Sequence, residues 1–193
     1  KVDFGNAQAE TEEVTNNIAV MPLTITDPDL IVTASTAPTV ASWGQRVTVS
    51  WTVKNQGSGA AASTWYDRVY LSQDGTLDVN TDLLVLEEWE SGNSPLAPNA
   101  TYTATREITL PSGLTGNVTF LFVTDARAQQ SEANETNNVR AHSEATSFNA
   151  ADLVVSASTS PAVAAWGERL ELAWTVLNQG NGSALSSWWD TVY

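Results

Sequence analysis

Residues 29–70 return as residues 152–193, at an offset of 123 and without a gap, with 25 of 42 positions identical. Repetition at this level dictates the organisation of the chain, because each copy must fold in the same way. The shared landmarks are Asp29/Asp152, Pro38/Pro161, Trp43-Gly44/Trp166-Gly167 and Trp51-Thr52-Val53/Trp174-Thr175-Val176. Asn55-Gln56-Gly57/Asn178-Gln179-Gly180, Trp65/Trp188, Asp67/Asp190 and Tyr70/Tyr193 complete them. Asp3 to Glu10 resembles Asp125 to Glu132, and Asn16-Asn17 answers Asn137-Asn138 after a one-residue slip. The expected division is therefore the end of one unit (1–28), a complete unit (29–151) and the beginning of a third (152–193). Neither end piece has enough strands to close a core. The expectation is that the natural chain continues in both directions and that the end pieces order only when completed. The junctions at Asp27-Pro28-Asp29 and Asn149-Ala150-Ala151-Asp152 carry no Gly/Ser-rich linker, so successive units should follow one another stiffly.

Within the complete unit the hydrophobic period is two. Val47, Val49, Trp51 and Val53 alternate with Thr48, Ser50, Thr52 and Lys54, which marks residues 45–54 as a half-buried strand. Further strands are expected at 30–36, 65–72, 83–89, 101–110, 118–124 and 139–146. Asn55-Gln56-Gly57-Ser58-Gly59 is a turn by composition, and Pro95, Pro98 and Pro111 fall between strands. About seven short strands with turn signals between them predict an all-β, immunoglobulin-like β-sandwich, with Trp51 between the sheets. The chain has no Cys, so packing alone must hold the sheets together.

Several of these stretches are similar to the cell-adhesion-related domain found in bacteria (CARDB). They are Pro28-Asp29-Leu30-Ile31-Val32, the run from Val49 through Asn55-Gln56-Gly57, Trp65 to Ser72 with Asp74-Gly75, and Asp125 to Asn138. The resemblance covers essentially the whole chain. It implies a sandwich fold in large bacterial or archaeal surface proteins, often in tandem. It implies no catalytic residues and names no ligand.

Composition narrows the functional classes. Asp and Glu number 22 against 8 Lys and Arg, a net charge of −14. Such a chain cannot release counterions from nucleic acid and is repelled by anionic membrane surfaces. No apolar run is long enough to insert into a membrane. With no Cys and the single His142, set at a polar strand end, thiolate and His-based metal sites are excluded. No nucleophile–base pair or phosphate loop is present, so no catalysis is expected.

A hard cation remains compatible with the charge. Asp74, Asp78, Asn80 and Asp82 offer oxygen ligands in one acidic loop, and Asp78, Asn80 and Asp82 have the first spacings of an EF-hand. Leu83 then stands where that loop needs Gly and Trp89 where it needs Glu, so an EF-hand is rejected. Two readings stay open: a simpler calcium loop, or a polar hairpin whose side chains cap their own backbone. The cluster Asp125, Glu132, Asn134, Glu135, Asn137 and Asn138 offers the same pair of readings, with loop capping favoured.

Asp67 shares a strand face with Trp65, Val69 and Leu71 and needs a partner: loop amides, an Arg such as Arg106, or an ion. Among the eight Trp, Trp51 and Trp174 read as internal, and Trp65, Trp89, Trp188 and Trp189 as candidates for the surface. Asn99, Asn117, Asn134 and Asn181 begin glycosylation sequons.

Taken together, these features point to a structural and adhesive tandem-repeat segment of an extracellular or cell-surface protein or filament. Its partners would be neighbouring repeats or identical subunits, and surface polysaccharide is a further candidate. The alternative is a carbohydrate-binding or accessory module of a secreted enzyme.

Overall fold

The computed structural model describes residues 19–42, 44–111, 116–184 and 187–193. Eleven strands and no helix are present among them. They are β1 (Leu30–Thr36), β2 (Val40–Ser42), β3 (Arg46–Asn55), β4 (Trp65–Ser72), β5 (Leu83–Glu90) and β6 (Thr101–Thr109). After them come β7 (Gly116–Val123), β8 (Val139–Ala141), β9 (Thr146–Asn149), β10 (Leu153–Thr159) and β11 (Ala173–Asn178).

The first nine strands form two sheets. One has the order β1-β3-β6; the other has six strands, ordered β2-β9-β7-β4-β5 with β8 also paired to β7. All pairings are antiparallel except β2 with β9, which run parallel with Val40 opposite Ser147 and Ser42 opposite Asn149. Residues 37–39 carry the chain from β1 in one sheet to β2 in the other.

The alternation in β3 performs as the period of two demands: Val47, Val49, Trp51 and Val53 are buried and their neighbours face outward. Trp51, Trp65, Phe120, Phe122, Leu30, Leu110, Val49 and Val69 interlock between the sheets, with the Trp51 and Phe122 centroids 5.9 Å apart. Fully buried aromatics of this size supply the burial that a disulfide-free sandwich depends on.

Three departures from the sequence reading have physical causes. The single strand expected over 139–146 is two, β8 and β9, separated by residues 142–145 as the chain moves along β7. The short strand β2 is additional; three residues after Pro38 carry too little period to be read. Trp65, expected at the surface, is completely buried, because it lies on the inward phase of β4 and its indole nitrogen donates to Tyr102 Oη at 3.1 Å.

A second, smaller apolar cluster lies on the outer face of the larger sheet. Tyr70, Leu121 and Val123 are covered there by Leu77 and Ala126 from two loops. Among the described residues β10 and β11 pair only with each other, in the register that β1 and β3 use, including the slip between Val155 and Ala157 that repeats the one between Val32 and Ala34.

Candidate functional site

The most elaborate polar construction surrounds the point at which the chain enters β1. Asn55, at the end of β3, is fully buried. Its Oδ1 accepts from the backbone N–H groups of Asp29 (3.1 Å) and Gly57 (3.0 Å). Its Nδ2 donates to the carbonyls of Gly59 (2.8 Å) and Leu96 (2.9 Å). Four bonds exhaust what an amide side chain can make. Gln56 adds two more to Asp29: its N–H donates to the Asp29 carbonyl at 2.7 Å and its Nε2 to Asp29 Oδ2 at 2.9 Å.

Glycine is obligatory at this turn for steric reasons. A Cβ on Gly57 would stand 2.4 Å from the Asp27 carbonyl oxygen, and one on Gly59 would stand 2.5 Å from that of Thr26. The turn lies directly against the incoming backbone, and Gly59 N–H donates to Asp27 at 2.9 Å.

The second acidic cluster closes on the same segment from the other side. Asn137 Nδ2 donates to Asp29 Oδ1 at 2.9 Å, and Ala133 N–H donates to the Pro28 carbonyl at 2.9 Å. Within the cluster, Asp125 accepts from the amides of Gln129 and Gln130, Asn134 from Thr136, and Glu135 from the amide of Glu132. Asn138 Nδ2 donates to Glu132 Oε2 at 2.9 Å. Burial raises the Glu132 carboxyl to about 7, against the opposing pull of the Asn138 bond. These side chains cap and tie loops, and the Asn137 side chain, with the Ala133 backbone, holds the entry segment. The expected counterparts Asp3, Glu10, Asn16 and Asn17 lie outside the described residues.

The clamp recurs where the chain leaves β9 for β10. Asn178 Oδ1 accepts from Asp152 N–H at 3.0 Å and Gly180 N–H at 3.1 Å, and its Nδ2 donates to Gly182 at 2.8 Å. Gln179 donates to the Asp152 carbonyl at 2.9 Å and to its Oδ2 at 2.8 Å. A Cβ on Gly180 would meet the Ala150 carbonyl oxygen at 2.2 Å. Asn181 Oδ1 also accepts from Ala150 N–H; Ser58 stands at the corresponding position of the earlier turn.

The loop carrying Asp74, Asp78, Asn80 and Asp82 is organised by its own backbone. Asp74 Oδ1 accepts from Ser72 Oγ (2.9 Å) and Thr76 N–H (2.8 Å), as part of a turn separate from the other three. Asp78 Oδ1 accepts from Asn80 N–H at 2.9 Å, and Asp82 Oδ2 accepts from Asp78 N–H at 2.9 Å. The amides of Thr76 and Asn80 hold the Asp74 and Asp78 carboxyls below their usual range. Among the described residues no group of three or more His, Asp or Glu is placed to hold a metal ion.

Asp67 is fully buried, and its partners are neither loop amides nor Arg106. Trp51 Nε1 and Tyr102 Oη both donate to its Oδ2, each at 2.6 Å. Burial raises its carboxyl to about 6, opposed by these two bonds. Arg106 turns instead to Glu88 at 2.5 Å, where the edges of the two sheets face each other. It is in phase with the core residues of β6, but its position near the sandwich edge lets the guanidinium reach solvent. The bond between Trp51 and Asp67 recurs as Trp174 Nε1 to Asp190 Oδ2 at 2.9 Å.

Of the remaining aromatic residues, Trp89 is exposed and stacks beside Tyr66, whose other neighbour is the Arg127 guanidinium, 4.1 Å from the ring centroid. Trp166, Trp188 and Trp189 are exposed, and so is Trp174, which the sequence placed inside. Trp43 lies outside the described residues. His142 is half-buried beyond β8, with its Nδ1 3.0 Å from Ser35 Oγ.

The chain is similar to parts of several solved structures. A crystal structure of a CARDB domain from a Pyrococcus furiosus protein, in complex with di-metal ions, is 24% identical, with a TM-score of 0.47 over 65% of this chain and 97% of that one. A solution structure of the same Pyrococcus domain is 23% identical, with a TM-score of 0.46 over 64% and 97%. A β-glucosidase from Listeria innocua in complex with isofagomine is 17% identical, with a TM-score of 0.39 over 64% of this chain and 16% of the enzyme. A search of curated proteins found no match. The CARDB family model matches residues 27–142, which take in the Asp29 clamp and both acidic loops, and the chain belongs to the CARDB family.

Proposed function

We propose that this chain is a structural and adhesive segment of an extracellular or cell-surface protein or filament, built from tandem units whose joints are locked. One observation carries the reading. The segment entering β1 and the segment entering β10 are held by the same set of bonds from an Asn-Gln-Gly-x-Gly turn, each with glycine where a side chain would strike the incoming backbone. Only residues 150–152 separate β9 from β10, and Asn178–Gly182 contacts hold all of that interval except Ala151. A catalytic or small-ligand module has no need of a fixed joint, whereas a stalk or filament does. The partners in this reading are neighbouring repeats or identical subunits.

The test uses the absence of Cys. Cysteines introduced at Thr103 and Ser158 can carry spin labels on either side of the joint. Pulsed electron-spin distance measurements should give a narrow distribution in the parent chain and a broad one after Asn178→Ala. A broad distribution in the parent would overturn the locked joint.

Surface polysaccharide is the candidate for the adhesive contact, at the exposed face of Trp89. Soluble polysaccharide should then change Trp fluorescence in the parent chain and leave Trp89→Ala unaffected. Unchanged fluorescence in the parent would remove this ligand.

A further inference from the structure

The two ends of the sandwich are tied to each other by the one parallel strand pair among the described residues. The chain enters through Asp29, and soon afterwards β2 lies against β9, the last strand before the exit at Asn149. Ser147 N–H donates to the Thr39 carbonyl at 2.9 Å, and Thr146 Oγ1 donates to that of Pro38. Ala41, Thr146 and Phe148 are buried, so the pair is shielded on its inner side.

The direction of these strands determines what tension does to them. Traction on the entering segment first loads the Asp29 clamp and β1, which is paired antiparallel to β3; once these yield, it draws β2 toward its own N-terminal end. Traction on the leaving segment draws β9 toward its own C-terminal end. Because the strands are parallel, the two pulls run along the same axis in opposite senses. The bonds between β2 and β9 are therefore loaded together, in shear. An antiparallel pair pulled from adjacent ends opens one bond at a time, as β4 and β5 would from Trp65 and Glu90. The Asp29 clamp lies in series on the entry side, and on the exit side the chain passes within three residues into the Asn178–Gly182 turn.

We propose that the unit is a tension-resistant element, in which the β2–β9 pair is the shear lock that bears the load once the Asp29 clamp and β1 have yielded. This deepens the structural reading above and rests on it: a stalk or filament can be stiff in its joints and still weak under extension, and only the strand directions address the second property.

Single-molecule extension of the full chain tests it. Cysteine handles at Met21 and Thr159 pull through the entry and exit. Handles at Ala62 and Ser91 instead open β4 from β5 at their paired ends. At one pulling speed, the first geometry should require at least about two-fold more force, because rupture under load follows the unfolding barrier along the pulled direction. Ser147→Pro removes the amide that bonds to Thr39 and should bring the first geometry down toward the second, with a cooperative melt confirming that the variant folds. Equal forces in the two geometries would overturn the proposal, and so would a folded Ser147→Pro of undiminished strength. Should Ser147→Pro fail to fold, the comparison of geometries in the parent decides. A narrow spin-label distribution with equal rupture forces would sink the shear lock alone, whereas a broad one would sink the locked joint beneath it.

Discussion

Asp67 and Glu132 are the two carboxyls whose environment most opposes their charge. Burial is the larger cause for each, and their folded values rise to about 6 and about 7, above the ordinary 3.8 and 4.5. A carboxyl with a raised value binds its proton more tightly in the folded state. Its contribution is therefore complete below the unfolded value and is lost as pH rises through the folded one. The melting temperature should fall between pH 5 and pH 7.5. Glu132→Gln keeps an acceptor for Asn138 and should reduce that fall, and adding Asp67→Asn should nearly abolish it. A parent chain with a flat profile across this window, or a double variant with the parent's slope, would show that neither carboxyl changes charge there. The alternation along β4 placed Asp67 on the inward face, and that much was legible in the sequence. Its partners were not, because Trp51 and Tyr102 come from the opposite sheet and lie 16 and 35 residues away. The same strand phase that puts Asp67 inside also puts Trp65 there; reading an indole as a surface ring overlooked its neighbour two residues on.

At the scale of elements, strong alternation was read well and short or interrupted pieces were not. β1 and β4 begin and end where their turn residues predicted, and β3 is displaced by one residue. β2 was missed, since three residues offer no period. The loop between β4 and β5 shows a different limit. Its acids point to cations, whereas Leu77, unlike the exposed Val79 two residues on, packs with Tyr70, Leu121 and Val123. A lone Leu in a polar loop has no period, and its burial depends on a sheet face that only the tertiary fold supplies. Leu77→Ser should destabilise the chain by about 1–3 kcal/mol in denaturant titrations, as expected for losing one buried aliphatic contact and wetting the cluster. A change under about 0.5 kcal/mol would mean that the loop does not cover the sheet. Calcium remains the candidate ligand of Asp74, Asp78, Asn80 and Asp82. Its test is a calcium-dependent rise in melting temperature that disappears on replacing Asp78 and Asp82 by Asn; a parent chain indifferent to millimolar calcium would remove it.

At the scale of the whole molecule, the repeat governs what is built and how well. Strands β1 to β9 enclose a core, but among the described residues β10 and β11 form a two-stranded sheet of their own. Val155, Leu172, Trp174, Trp189 and Tyr193 line an open cavity of about 610 Å³ in this second copy. A two-stranded sheet with one uncovered apolar face has little to hold it. Limited chymotryptic digestion of the full chain should therefore cut within residues 153–193 well before it cuts within 30–149, as read by mass spectrometry. First cleavage inside 30–149 would contradict that ranking of stability. The offset of 123 made the shared geometry of the two copies readable in advance, down to the Asn-Gln-Gly turn. What the turn grips was not readable, because glycine there looked like ordinary turn chemistry until the incoming backbone was seen to lie 2.4 Å from where a Cβ would stand.

The position of the two gripping loops along the chain also has a consequence for synthesis. The entering Pro28-Asp29 is held partly by residues 55–59 and partly by residues 133–137, which emerge from the ribosome about a hundred residues after it. A joint of this design cannot be set when its own residues appear; it sets when the downstream unit is nearly finished. In the tandem array proposed above, the angle between consecutive units would then be written into the later one, and a unit moved to a new place would carry its incoming angle with it. An array made in this way would stiffen in order of synthesis, joint by joint, behind the point of growth.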